Sequence, residues 1–133
     1  MARLAKVLEL AVAEADLSIP QYRMLILLAD GSAAASELAG KLDVSPPSVT
    51  SLIDGLVARG LVERRPARDD RRRVDHLLTA KGRAVLRDAD RAAAAELTAV
   101  AAAAPAGRGR AALDSLAVWE DAMNRYRDQR MGQ

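Results

Sequence analysis

Six arginines fall within ten residues of this 133-residue chain, Arg64, Arg65, Arg68, Arg71, Arg72 and Arg73, with Asp69 and Asp70 among them. A guanidinium is permanently charged and presents a planar fork of donors that fits two phosphate oxygens at once. Ahead of this cluster stand Ser45, Pro46, Pro47, Ser48, Thr50 and Ser51. Their side chains are short enough for close approach, and the hydroxyls both donate and accept. A small polar face followed by a concentrated cation has the chemistry needed to read base edges and grip phosphates. The overall charge of +2 conceals this pattern, because residues 64–83 carry a net +5, residues 1–63 a net −3 and residues 84–133 none.

Other chemistries lack their parts. No cysteine is present, which excludes a disulfide scaffold, a thiolate metal site and a thiol switch. His76 is the single histidine, and alternation places it on one strand face with Val74 and Leu78, a structural or DNA-proximal position with no metal expected. The chain has no nucleophile-elbow sequence or phosphate loop, so neither catalysis nor a cofactor is expected. Glu9, Glu14 and Asp16 interrupt the apolar residues near the N-terminus, leaving neither a signal peptide nor a membrane span, and a cytoplasmic location is expected.

These groups must be positioned by packed helices, since half the residues are apolar yet Phe is absent. Leu4, Val7, Leu8, Ala11 and Val12 recur at helical spacing over residues 2–15. Ser18, Pro20 and Gln21 announce a second helix running to about Asp30 and stopped by Gly31. A short helix over 36–42, a turn at Asp43-Val44-Ser45 and a third helix with Val49, Leu52, Ile53, Leu56 and Val57 on one face follow, ended by Gly60. Two strands, 61–64 and 73–78, flank a polar tip at 66–72. An Ala-rich helix over 80–104, a break at Pro105 to Gly107 and a last helix over 111–130 complete the chain.

A short helix, a tight turn and a second helix with a polar outer face is the arrangement that seats a helix in the DNA major groove, with an arginine-rich hairpin beside it. Ser36-Glu37-Leu38-Ala39, the stretch Leu56-Val57-Ala58-Arg59-Gly60-Leu61-Val62, Asp70-Arg71-Arg72 and Leu78-Thr79-Ala80-Lys81-Gly82 resemble successive signatures of the MarR family of bacterial regulators, in order and spacing, from about Leu17 through Gly82.

The resemblance implies a mainly α fold with a small β-wing: a winged helix-turn-helix over 17–79 and dimerisation helices over 1–16 and 80–133. It implies a homodimer bound to double-stranded DNA at a pseudo-palindromic operator, with half-sites about 34 to 36 Å apart. Ser45, Pro46, Pro47, Ser48, Thr50 and Ser51 would form the recognition helix. Arg65, Arg68, Arg71, Arg72 and Arg73 would form the wing, with Arg72 foremost and Asp70 orienting the tip by pairing with an Arg. Ser51 and Gly55 stand where family members often carry Lys or Arg, so phosphate affinity would rest on the wing.

The function implied is transcriptional repression released by a small apolar, aromatic or anionic effector, with Tyr22 and Trp119 as candidate contacts. Trp119 and Tyr126, seven residues apart on the last helix, are of a kind that more often makes core or dimer contacts than a ligand site. The alternative is a winged-helix protein-interaction module that does not touch DNA, because fold alone does not fix function.

Overall fold

A computed structural model describes the backbone of residues 1–131; the last two residues of the expected dimerisation region lie outside the described residues. Ser18 begins the first well-capped helix as its neighbours require. Its hydroxyl accepts from the Gln21 N–H (3.3 Å), and the Gln21 side chain accepts from the Ser18 N–H (2.9 Å), with Pro20 in the first turn. This reciprocal bonding satisfies donors that a helix start otherwise leaves orphaned.

The element order is α1 (Ala2–Ala13), α2 (Ile19–Ala29), β1 (Ala33–Ala34), α3 (Ala35–Leu42), α4 (Pro46–Ala58), β2 (Val62–Pro66), β3 (Val74–Leu78), α5 (Ala80–Ala102) and α6 (Arg108–Met131). Contacts divide the chain into two compact units, the first from Met1 to Ala93 and the second from Ala94 onward. Leu86 and Ala89 of α5, like Val12 of α1, belong to the first unit's core.

That core is aliphatic. Met24, Leu25 and Leu28 from α2, Leu38 from α3, and Val49, Ile53 and Leu56 from α4 meet Val12 and Leu61, all below 2 % exposure. Full burial of side chains this size is worth about 1.5 to 3 kcal/mol each. The 3.6-residue spacing read along α4 is the face that packs here, so its remaining face is presented to solvent.

The sheet is antiparallel, ordered β1-β3-β2. β1, absent from the sequence reading, is only two alanines long and carries no alternation to detect. It pairs Ala33 with His76 and Ala34 with Asp75, which fastens the start of α3 to the hairpin. His76 is buried, and its Nδ1–H donates to the Ala33 carbonyl (3.1 Å). The histidine is thus a structural clasp between β3 and β1.

The start of α5 is held just as closely. The Thr79 hydroxyl donates to the Gly60 carbonyl (2.7 Å) and accepts from the Gly82 N–H (2.9 Å), while Lys81 Nζ donates to the Arg59 carbonyl (2.9 Å). A Cβ at Gly82 would lie 2.1 Å from the Leu61 carbonyl oxygen, so only glycine permits this approach. The Thr-Ala-Lys-Gly motif is a staple that locks the turn after α4 onto the next helix.

In the second unit, α6 passes the end of α5 at Gly109, where a Cβ would sit 2.1 Å from the Ala101 carbonyl oxygen. α6 begins at Arg108, three residues earlier than its apolar pattern implies. No helix among the described residues is long and apolar enough to cross a membrane.

Candidate nucleic-acid interface

α4 owes its start to Ser45. Asp43 takes a left-handed conformation (φ 55°) that turns the chain after α3, and Ser45 then caps α4 by accepting from the Ser48 N–H (3.4 Å). Pro46 and Pro47 occupy the first turn, where no N–H needs an intrahelical partner. Ser45, Pro46, Pro47, Ser48, Thr50 and Ser51 are all exposed. The Ser45 and Ser48 hydroxyls are 2.8 Å apart, and the Thr50 hydroxyl donates to the Pro46 carbonyl (3.1 Å). The face is therefore partly organised by its own hydrogen bonds before any ligand arrives.

The wing is the β2–β3 hairpin. Its register runs from Val62 opposite Leu78 to Pro66 opposite Val74, and the bond from the Ala67 N–H to the Arg73 carbonyl (2.9 Å) closes the base of the tip. Asp70 shapes the tip itself. Its carboxylate accepts from the Arg72 N–H (2.9 Å) and its carbonyl from the Arg73 N–H (3.0 Å). The expected pairing of Asp70 with an arginine side chain is corrected here: the carboxylate holds backbone, as short acidic side chains do in turns.

The six arginines separate into two groups. Arg64 pairs with Asp54 on α4, which ties the wing strand to that helix, and Arg65 pairs with Glu63 at 2.5 Å. Arg73 bonds to Glu37 of α3 (2.9 Å) and to Asp75 (3.0 Å). The hydrogen bond to Asp75, with the charges of Glu37 and Asp75, raises the Arg73 pKa further above its already high ordinary value. Arg73 thus serves as a brace between wing and α3, with its charge already opposed by two carboxylates.

Arg68, Arg71 and Arg72 are exposed at the tip and make no ion pair with the described residues. They carry the charge available to an incoming polyanion. Arg65 can join them, because an ion pair as exposed as that with Glu63 is worth little and is readily exchanged.

The sequence places Glu37 in the motif over 36–39 and Asp54 on the outward face of α4 without indicating their arginine partners. Glu37 accepts from the Ala34 N–H (3.3 Å) through one oxygen and from Arg73 through the other, so it joins the start of α3 to the wing. Its position three residues after a helix start was a signal for the first bond, whereas nothing local marks the second.

Tyr22, in the first unit, is half-buried and donates its hydroxyl to Asp90 (2.6 Å). Partial burial and that carboxylate push its pKa well above the usual phenol range. Trp119, in the second, lies exposed on α6 beside Val118. Among the described residues no cluster of His, Cys, Asp or Glu is arranged to hold a metal.

A model described as the MarR family matches residues 15–73, from the turn before α2 to the wing. The chain is 36 % identical over 85 residues to the uncharacterized HTH-type transcriptional regulator YhbI of Bacillus subtilis, covering 63 % of this chain and 55 % of YhbI. It is 35 % identical over 83 residues to the HTH-type transcriptional repressor YetL of the same organism, covering 60 % and 50 %. The chain thus spans about half the length of these curated relatives. Among solved structures, that of RV1404 from Mycobacterium tuberculosis superposes with a TM-score of 0.82 at 25 % identity, covering 92 % of this chain and 86 % of that one.

Proposed function

We propose that this chain, whose residues 15–73 match the MarR family, is a sequence-specific DNA-binding transcriptional regulator that acts as a homodimer and represses transcription. The observation that carries the proposal is the division of the arginines. Arg64 and Arg73 hold the wing to α4 and to α3, Arg65 makes only an exchangeable exposed pair on its own strand, and Arg68, Arg71 and Arg72 are left at the tip with no acidic partner among the described residues.

A merely solvated loop has no need of such bracing, whereas a phosphate clamp must be held in position before DNA arrives. α4 would enter the major groove with its hydroxyl face, and the tip would follow the backbone or enter the minor groove, where negative potential is focused. The name of YetL supports repression as the outcome.

Dimerisation is supported by α6, where Val118, Trp119 and Met123 are 68 %, 66 % and 59 % exposed in the single chain. Large apolar side chains this exposed on one helix mark an interface. Release of DNA by a small apolar, aromatic or anionic effector belongs to the same proposal.

The test is selection of bound fragments from a sheared genomic pool by the full chain, followed by footprinting. Enrichment of a discrete set of upstream fragments with a two-fold symmetric footprint is expected. Recovery no different from input DNA would reject the proposal.

A further inference from the structure

The exposed face of α4 is chemically unusual for a helix meant to read bases. From Pro46 to Ala58 it contains no Arg, Lys, Asn or Gln, the side chains that make bidentate bonds to guanine and adenine. Its one charged residue, Asp54, is occupied by Arg64. Beside it runs an open groove of about 550 Å³ lined by Pro20, Val44, Pro47, Ser48, Ser51 and Leu52, a mainly apolar surface rimmed by two hydroxyls.

Resting on the DNA-binding reading above, we infer that α4 reads its half-site chiefly through thymine methyl groups seated against Pro47 and the adjoining apolar groove, and not through guanine. The thymine C5-methyl projects into the major groove and is the one apolar feature of a base edge there. A rigid proline face and a shallow aliphatic groove match it, and a guanine N7/O6 pair would find no cation opposite.

Thr50 adds a second element. Its hydroxyl hydrogen is committed to the Pro46 carbonyl, so toward DNA it offers a lone pair and a methyl group. A lone pair accepts from the amino group of adenine or cytosine, and cannot donate to guanine while that bond is made. Thr50 is therefore a specificity-determining residue for an amino-bearing base beside a thymine.

The test uses the full chain and a site obtained by selection from random duplex DNA. Each enriched thymine is replaced in turn by uracil, which removes only the methyl, and each enriched guanine by 7-deazaguanine. Loss of about fourfold in affinity is expected at one or more thymines of each half-site, the size of one buried methyl. The Pro47→Ser variant, checked for native helix content, should bind thymine and uracil sites alike. Uracil leaves the minor groove unchanged, so the wing does not contribute to the difference.

Specific binding that is indifferent to every uracil but weakened by 7-deazaguanine would overturn this inference and leave the DNA-binding reading standing. Failure to enrich any sequence from the random pool would overturn that reading, and this inference with it.

Discussion

Arg73 at the foot of the wing and Glu37 in the first turn of α3 are joined by a 2.9 Å bond across 36 residues of sequence. Their pairing fixes the hairpin to the helix-turn-helix, which makes Arg73 a positioning residue. Arg73→Gln and Glu37→Gln should each weaken DNA binding, by less than about tenfold while the tip arginines remain, and the double variant should be no worse than either single one. Anisotropy titrations of the four proteins decide this. If Arg73 instead gripped phosphate, Glu37→Gln would strengthen binding by releasing it.

Gly82 faces two opposed effects on replacement by alanine. Helix propensity favours alanine by roughly 1 kcal/mol, but the new Cβ would collide with the Leu61 carbonyl. The collision is with backbone and cannot be relieved by a rotamer change, so Gly82→Ala should cost about 3 kcal/mol or more. Urea unfolding measures it, and an unchanged midpoint would mean that α5 does not seat as described.

Much of this architecture was legible in the sequence because it is written locally. Ser18 with Gln21, and Ser45 with Pro46, mark helix starts through bonds that span three residues, and the α4 core face follows from spacing alone. What was not legible depends on partners far along the chain. A run of arginines does not reveal which members meet Glu37, Asp54 or Glu63, so the bracing of Arg64 and Arg73 has no local sign. Asp70 read as a partner for a guanidinium because its bonds to backbone amides leave no trace in composition. β1 escaped for another reason: two alanines become a strand only when the edge of β3 is already there.

The Tyr22–Asp90 bond makes a pH-dependent contribution. Because the folded-state pKa of Tyr22 is raised, its stabilisation is complete below the unfolded phenol value of about 10 and is lost as pH rises from there toward the folded value. Tyr22→Phe should therefore cost about 1 kcal/mol at neutral pH, and the gap between the two proteins should narrow above about pH 10. Denaturant titrations from neutral to alkaline pH test this, and a constant gap would count against the bond.

Trp119 offers a direct reading of assembly. If α6 forms the dimer face, the emission of this single tryptophan should move to the red on dilution as the interface opens. Met123→Glu should hold it at the red limit and sediment as a monomer. Emission that is already red and independent of concentration, with a monomer mass for the unaltered chain, would remove α6 from the interface.

The measurement that bears most directly on the central claim is the salt dependence of binding to a selected operator and to scrambled DNA, with and without Arg72. The account predicts clear preference for the operator, affinity falling steeply with salt, and a slope about one unit shallower for Arg72→Ala, as loss of one phosphate contact requires. Equal affinity for both DNAs, or an Arg72→Ala slope and affinity unchanged with the wing intact, would contradict it.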